Sequence, residues 1–210
     1  PYLSRGLGDV YKRQLYMSGT SLMITTSPLI GDLLAEDKRW ATLPLAFHHC
    51  GVMAATIPAS QLMRQIGRRN GFMLGTLFGM AGAGIAGLAI LEAWFWVFAL
   101  GVFIVGWFNG FAVFYRFAAA DAASPEFKAK AISWVLTGGL FAAVLGPELA
   151  KHTKDLLTPV AYAGSYFALI GLYVANLLLV SQVKIPPLTA EEKATSGRPL
   201  LQILAHPKCM

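Results

Sequence analysis

Charged residues are scarce in this chain of 210 residues. They make up 13% of the sequence, about half of the ~25% that is usual for soluble domains. Hydrophobic residues make up 56%, and the mean hydropathy is +0.56. A surface with so little charge excludes an ordinary soluble domain and indicates that much of it faces lipid. The two cysteines, Cys50 and Cys209, are too few for a disulfide framework.

Motifs for cofactor and metal chemistry are also lacking. The sequence contains no nucleotide-binding loop, metal-ligand spacing or nucleophile elbow. Residues 82–87 match G-x-G-x-x-G, but they lie within an apolar stretch with no preceding strand, which argues against dinucleotide binding. We therefore predict no enzyme activity, no cofactor and no metal. The net charge of +6 comes from basic residues scattered between apolar blocks, so we predict no nucleic-acid partner.

Long apolar stretches dominate the rest of the chain. Six stretches without Asp, Glu, Lys or Arg are candidate membrane helices: 15–31, 40–63, 70–91, 93–115, 131–147 and 156–183. The first and fifth extend past an end charge to Ala35 and Ala150. We therefore predict an all-α polytopic membrane protein with a six-helix bundle at 15–183 and the lipid bilayer as its partner. Residues 184–198 are a predicted cytoplasmic linker, and residues 199–210 are the predicted start of a seventh helix, cut short.

The first residues are expected to be foreign to the protein. Residues 9–14 read Asp-Val-Tyr-Lys-Arg-Gln, which is the translation of GAT GTG TAT AAG AGA CAG. That string resembles a transposase end sequence used to prepare sequencing libraries. We therefore expect residues 1–14 to be translated adaptor that packs against nothing, and the chain to be a fragment from environmental sequence.

Basic residues are distributed unevenly between the two sides of the predicted bundle. With the N-terminus inside, the cytoplasmic loops hold nine: Arg64, Arg68, Arg69, Arg116, Lys128, Lys130, Lys184, Lys193 and Arg198. The opposite side holds four: Lys38, Arg39, Lys151 and Lys154. Because cytoplasmic loops carry the excess of Lys and Arg, we predict a cytoplasmic N-terminus.

The loop between the second and third predicted helices carries a motif. Residues 60–69 read Ser-Gln-Leu-Met-Arg-Gln-Ile-Gly-Arg-Arg, which resembles the G-x-L-x-D-R-x-G-R-R loop of major facilitator superfamily transporters. The matching residues are Leu62, Gly67, Arg68 and Arg69. Ser60 and Gln65 differ from the motif. Arg64 reverses the charge of the family's aspartate, so that aspartate's gating contact is not carried over.

Three later features resemble the same family in the same order. They are an aspartate at the inner end of the fourth helix, a basic residue opening the fifth, and a Gly-Pro pair late in the fifth: Asp121, Lys128 and Gly146–Pro147. The family's fourth-helix arginine is replaced by Gly106. Glu148 follows the Gly-Pro pair, where antiporters carry further glycines, so drug:proton antiport is not favoured.

The resemblance implies the N-terminal six-helix half of a secondary transporter. Such a protein moves a small-molecule substrate by alternating access, with the C-terminal half of the same chain as partner. It further implies that the first and fourth helices line the path, that the third and sixth lie away from it, and that the protein resides in a bacterial inner membrane. The alternative is a non-transporting membrane protein, such as a membrane-embedded enzyme or an assembly subunit.

Polar residues within the predicted helices are candidates for the substrate path, since they are costly in lipid and tend to face cavities. Ser18, Ser21 and Thr25 share one face of the first helix, and we predict that they face one polar cavity with Asn109. Hydrogen bonds to their own helix are the alternative for these hydroxyls. Trp134 and Thr137 on the fifth helix are further candidates, with packing as the alternative for Trp134.

His48 and His49 are the titratable groups well inside a predicted helix. Histidine changes its charge near neutral pH, so either could bind a coupling proton. Neighbouring helical residues lie about 100° apart, so only one of the two can point squarely inward. A hydrogen-bonded histidine between helices is the alternative.

A cytoplasmic gate is predicted from the residues that carry the resemblance and the charges beside them: Arg64, Gly67, Arg68, Arg69, Arg116, Asp121 and Lys128. Because Arg64 replaces an acidic residue, excess positive charge needs a counter-ion. We therefore predict that Asp121 pairs with Arg64, Arg68 or Arg116. Arg116 could instead extend to the membrane surface.

Overall fold

Six α-helices form the part of the chain that the computed structural model describes, residues 2–115 and 128–182. They are α1 (Tyr2–Leu34), α2 (Leu43–Ile66), α3 (Arg68–Leu91), α4 (Phe95–Ala112), α5 (Lys128–Thr153) and α6 (Ala163–Gln182). A short 3₁₀ turn, Lys38–Trp40, precedes α2. The predicted all-α class and six-helix count are confirmed.

Two helix starts differ from the prediction. Helix α1 begins at Tyr2 rather than at residue 15, because no proline interrupts the residues before it. Its side chains before Met17 are not described, so the predicted lack of packing there lies outside the description. Helix α6 begins at Ala163 rather than at residue 156. Turns occupy 154–161, where Pro159 has no backbone N–H to continue a helix. The predicted linker and seventh helix also lie outside the described residues.

Three of the described helices, α3, α4 and α6, are long and apolar enough by length and composition to cross a membrane. Helices α1, α2 and α5 carry more polar side chains within their lengths. Polar residues lower the hydropathy of a helix but are tolerated where they face protein or a cavity. A functional site is therefore expected to include residues of α1, α2 or α5.

The helices form two groups of three. Helix α4 packs between α2 and α3, and α1 packs between α5 and α6. The contact of α3 with α6 joins the groups, and aromatic rings add contacts between α4 and α6. Phe98 packs edge-on against Tyr166 at 5.5 Å between ring centroids, and Phe108 packs against Tyr173 at 4.8 Å.

Small residues set the distance between neighbouring helices. Gly75 and Gly79 of α3 face Phe111 and Phe108 of α4. A Cβ added to Gly101 of α4 would lie 2.6 Å from a backbone nitrogen of α3. Helices that face lipid gain stability from such close contact, because lipid supplies no hydrophobic drive for association. Sequence spacing that places small residues on one face therefore fixes the bundle.

The two ends of the bundle differ in composition. Trp94 and Trp96 at the start of α4 are 58% and 63% exposed and lie at the same end as Trp40. We call this the tryptophan end, since exposed tryptophans are typical of membrane interfaces. At the opposite, arginine end, Gly67 makes the turn between α2 and α3 with a φ of 84°, a conformation that favours glycine.

Candidate functional site

Asn109 lies at the centre of a chain of polar side chains from three helices. Its side chain is buried. Its Nδ2 lies 2.6 Å from Nε2 of His48 on α2, and its Oδ1 accepts a hydrogen bond from Oγ1 of Thr20 on α1 at 3.3 Å. We call Thr20, His48 and Asn109 the polar triad. It joins α1, α2 and α4 inside a bundle that is otherwise mainly apolar.

Glycines bring α2 and α4 close enough for this contact. A Cβ added to Gly106 would meet the backbone oxygen of His48, and one added to Gly51 would meet the backbone oxygen of Phe103. One turn further, a Cβ on Gly110 would lie 2.6 Å from the Cβ of Ala55. The backbones are therefore in direct contact on both sides of Asn109. This contact brings the imidazole of His48 within reach of the amide.

The hydrogen bonds of the polar triad do not satisfy one buried nitrogen of His48. Because Thr20 donates to Oδ1, Asn109 presents Nδ2 as a donor to His48, so Nε2 accepts and Nδ1 carries the proton. Nδ1 of His48 is buried and has no hydrogen-bond partner among the described residues. An unsatisfied buried polar atom costs roughly 1–3 kcal/mol. Nδ1 of His48 is therefore not held in one protonation state by a second hydrogen bond from the described residues.

His49 has a different environment from His48. It is exposed, and its Nδ1 bonds to the backbone oxygen of Leu45 at 2.9 Å within its own helix. The two rings lie edge-on with centroids 5.0 Å apart. The expectation that only one histidine of the pair points inward is confirmed, and it is His48. Its contact with Asn109 also confirms a hydrogen-bonded histidine between helices.

The predicted hydroxyl stripe on α1 meets α5 rather than the amide. Gly146 of α5 sits against the Cβ of Ser21 and the backbone oxygen of Ser18. Thr25 is exposed and donates to the backbone oxygen of Ser21 at 2.9 Å. The residue of α1 that bonds to Asn109 is Thr20, which was not predicted from the sequence. Neighbouring helical residues point about 100° apart, so Thr20 and the stripe lie on different faces of α1; a cavity shared by the stripe and Asn109 stays a prediction.

Of the two candidates on α5, the structure describes the side chain of Thr137. Thr137 is exposed and donates to the backbone oxygen of Ser133 at 2.9 Å. Trp134 belongs to the same helix, and its side chain lies outside the description. Their place on a substrate path stays a prediction.

The predicted gate residues lie at the arginine end as far as they are described. Arg64 is exposed, and Arg68 is half-buried at the start of α3. Arg69 donates to the backbone oxygen of Ser181 near the end of α6. The predicted pairing of Asp121 stays a prediction, because Arg116 and Asp121 lie outside the described residues. The same is true of the side chain of Lys128, the first residue of α5.

A second buried amide lies on the other side of α4. Asn176 of α6 is fully buried, and its Oδ1 accepts from the hydroxyl of Tyr115 at 3.4 Å. The ring of Tyr115 stacks on Phe72 at 4.2 Å. This amide is surrounded by aromatic packing between α3, α4 and α6. Within residues 2–115 and 128–182, no group of three His, Cys, Asp or Glu could hold a metal.

Sequence comparison finds two transporters with related sequences. A riboflavin transporter, RfnT, of Brucella anthropi is 38% identical over 193 residues, which cover 91% of this chain and 48% of that protein. An uncharacterized MFS-type transporter, YdeG, of Bacillus subtilis is 26% identical over 194 residues, covering 86% and 45%. The chain thus spans about half the length of these relatives. No protein-family profile matches it.

Structural comparison adds the fold. The fucose:proton symporter FucP of E. coli superposes with a TM-score of 0.71 at 16% identity, over 93% of this chain and 52% of the symporter. A structure of FucP in the outward conformation gives a TM-score of 0.72 at 18% identity. The chain is thus similar to major facilitator transporters over about half of their length. Its six helices have the fold of one half of a major facilitator protein, and the protein is an integral membrane protein.

Within the major facilitator fold, the polar triad draws on three helices from both groups of the bundle. Two of the three, α1 and α4, are helices that the resemblance implied for the path. Helix α2 contributes His48, a predicted coupling candidate, which reaches Asn109 across the glycine contact.

Proposed function

We propose that this chain is one half of a secondary transporter that moves a small solute across a bacterial inner membrane by alternating access. The observation that carries the proposal is the polar triad, a connected amide, imidazole and hydroxyl at the contact of three helices. Polar groups at membrane depth are tolerated best where they serve a path or a relay. The sequence relation to a riboflavin transporter makes riboflavin the first solute to test.

The other half of the transporter would dock on faces that are apolar and exposed in this chain. On α2, Met53 is 76% exposed, and on α5, Leu140 and Phe141 are 71% and 63% exposed. The relatives are about twice as long as this chain, which supplies a second half of suitable size. We propose that it covers these faces of α2 and α5, while lipid covers the remainder.

The direct test is uptake of riboflavin by the complete gene product. Expressed in a bacterial strain that cannot make riboflavin, the complete protein should restore growth at low external riboflavin and accumulate labelled riboflavin. Vector alone and an unrelated sugar transporter are the controls. Normal expression in the membrane without riboflavin uptake would exclude this substrate. Failure of a wide panel of solutes would favour a non-transporting membrane protein.

The orientation can be tested separately. Because Arg64, Arg68 and Arg69 cluster at the arginine end, we place that end and the N-terminus in the cytoplasm. With Cys50 and Cys209 replaced, Glu36→Cys at the tryptophan end should react with a membrane-impermeant maleimide in intact cells. Gln65→Cys at the arginine end should react only after lysis. Both native residues are exposed, so the opposite labelling pattern would invert the topology.

A further inference from the structure

We infer that His48 is the proton-binding group of this transporter and that its protonation reverses the amide of Asn109. The inference rests on the proposed transport function and names its coupling ion. It starts from the order of donors and acceptors in the polar triad. Thr20 Oγ1 donates to Asn109 Oδ1, and Asn109 Nδ2 donates to His48 Nε2. Only a neutral imidazole with its proton on Nδ1 fits this order.

A protonated His48 is incompatible with the present orientation of the amide. Both nitrogens of an imidazolium are donors, so Nε2–H would face the Nδ2–H group of Asn109 at the present 2.6 Å. A buried charge is also costly unless a group of suitable polarity faces it. Rotating the amide by 180° puts Oδ1 opposite Nε2. This removes the contact between two donors and places a partial negative charge beside the buried imidazolium. The end torsion of asparagine is roughly two-fold, so the helices need not move.

The rotation reaches the first helix through Thr20. With Oδ1 turned to His48, Nδ2 faces Oγ1 of Thr20, which then accepts instead of donating. In the present arrangement Thr20 gives its hydroxyl proton to Asn109, so its role in this contact changes from donor to acceptor. Thr20 is only half-buried, so a solute can approach it. Proton binding at α2 thereby changes what α1 offers, and by linkage the solute strengthens proton binding equally.

Within the polar triad, His48 is the group that can bind a proton. From its own helix, His49 faces it at 5.0 Å between ring centroids but bonds elsewhere. From α4, the group that bonds to it is the non-titrating amide of Asn109, which in turn accepts from Thr20 of α1. Among the described residues, no carboxylate or cation bonds to His48. Its Nδ1 is buried without a partner in the same part of the chain, so no second hydrogen bond there fixes the protonation state of the ring.

The first experiment needs no substrate. Complete gene product with ¹⁵N-labelled histidine and asparagine is studied in lipid bilayers by solid-state NMR in a His49→Gln background. The signals of His48 and Asn109 are assigned by their loss in His48→Gln and Asn109→Leu. We expect a neutral imidazole protonated at Nδ1 that becomes an imidazolium as the pH is lowered, with the Asn109 amide signal shifting in the same step. An Nε2–H tautomer of His48 at neutral pH would overturn the inference. An Asn109 amide signal that stays unchanged while His48 becomes protonated would also overturn it.

The second experiment measures coupling, with riboflavin as the probe. In proteoliposomes, an imposed inward proton gradient should raise riboflavin uptake by the wild type about ten-fold, within the range usual for coupled binding. His49→Gln should respond like the wild type, whereas in His48→Gln the ratio of riboflavin uptake with the gradient to uptake without it should fall to about one. A retained response in His48→Gln would refute the role of His48. If the wild type ignores riboflavin, the proposed substrate fails, and the NMR result alone decides the proton site.

Discussion

Replacing Asn109 by leucine in the complete gene product is expected to reduce transport at least about ten-fold, while the protein remains folded in the membrane. Leucine has the same branching and number of side-chain heavy atoms as asparagine, although it is larger, and it removes both hydrogen bonds of the amide, to Thr20 and to His48. A lost bond to a buried polar group costs roughly 1–3 kcal/mol. The polar triad would be broken at its centre, and neither a proton nor a solute could act across it. Initial uptake rates, corrected for the amount of protein in the membrane, give the measurement.

Asn176→Leu is the matched control for this variant. Asn176 is also a buried asparagine that accepts a hydrogen bond from a neighbouring helix, but it lies among aromatic side chains between α4 and α6. Its replacement should lower thermal stability to a similar degree and leave the transport rate per folded molecule near that of the wild type. Equal loss of transport in both variants would mean that Asn109 acts only through stability.

The Gly106→Val variant should lose most of its folded protein. A Cβ at this position would overlap the backbone oxygen of His48 and lie 3.1 Å from both the Cα of Gly51 and the nitrogen of Val52. These are backbone atoms, which cannot turn aside as a flexible side chain can. Overpacking of this kind costs about 1–3 kcal/mol or more, which corresponds to a melting temperature lower by about 10 °C at the upper end. Thermal unfolding in detergent and the recovered monodisperse fraction measure it.

Two further variants make this prediction specific. Gly171→Val adds the same side chain where a Cβ would meet nothing within 4 Å, so its melting temperature should stay close to that of the wild type. Gly106→Ala should fall between the wild type and Gly106→Val. If Gly171→Val were as damaging as Gly106→Val, the cause would be the β-branched residue itself rather than the contact of α2 with α4.

The existence of the six helices could be predicted from the sequence, because lipid imposes a simple requirement on a membrane-spanning helix. A span needs about 20 mainly apolar residues, and charges interrupt such runs visibly. The ends were less predictable. Apolarity continues from residue 156 into α6, yet the helix starts only at Ala163, after the turns around Pro159. Charge marks where a chain leaves lipid, whereas proline and turn geometry decide where a helix begins.

The candidate site was only partly predictable, for a different reason. Asn109 and His48 stood out as polar residues in apolar runs. Thr20 did not, because periodicity groups residues by face but does not say which neighbouring helix a face meets. Ser21 packs against Gly146, where an added Cβ would lie 2.6 Å from the Cβ of Ser21, while the adjacent Thr20 bonds to Asn109. One signal was present: Thr20 and Ser27 are seven residues apart, and both bond to another helix.

The division of the bundle into two groups of three has a consequence for biogenesis. Helices α2, α3 and α4 follow one another in the chain and pack together, so they can assemble as soon as α4 leaves the ribosome. Helix α1 packs mainly against α5 and α6, which follow α4 in the chain. Since chains fold from the N-terminus during synthesis, we expect α1 to wait beside the insertion machinery for its partners. Helix α1 would then dock only after α2, α3 and α4 have assembled.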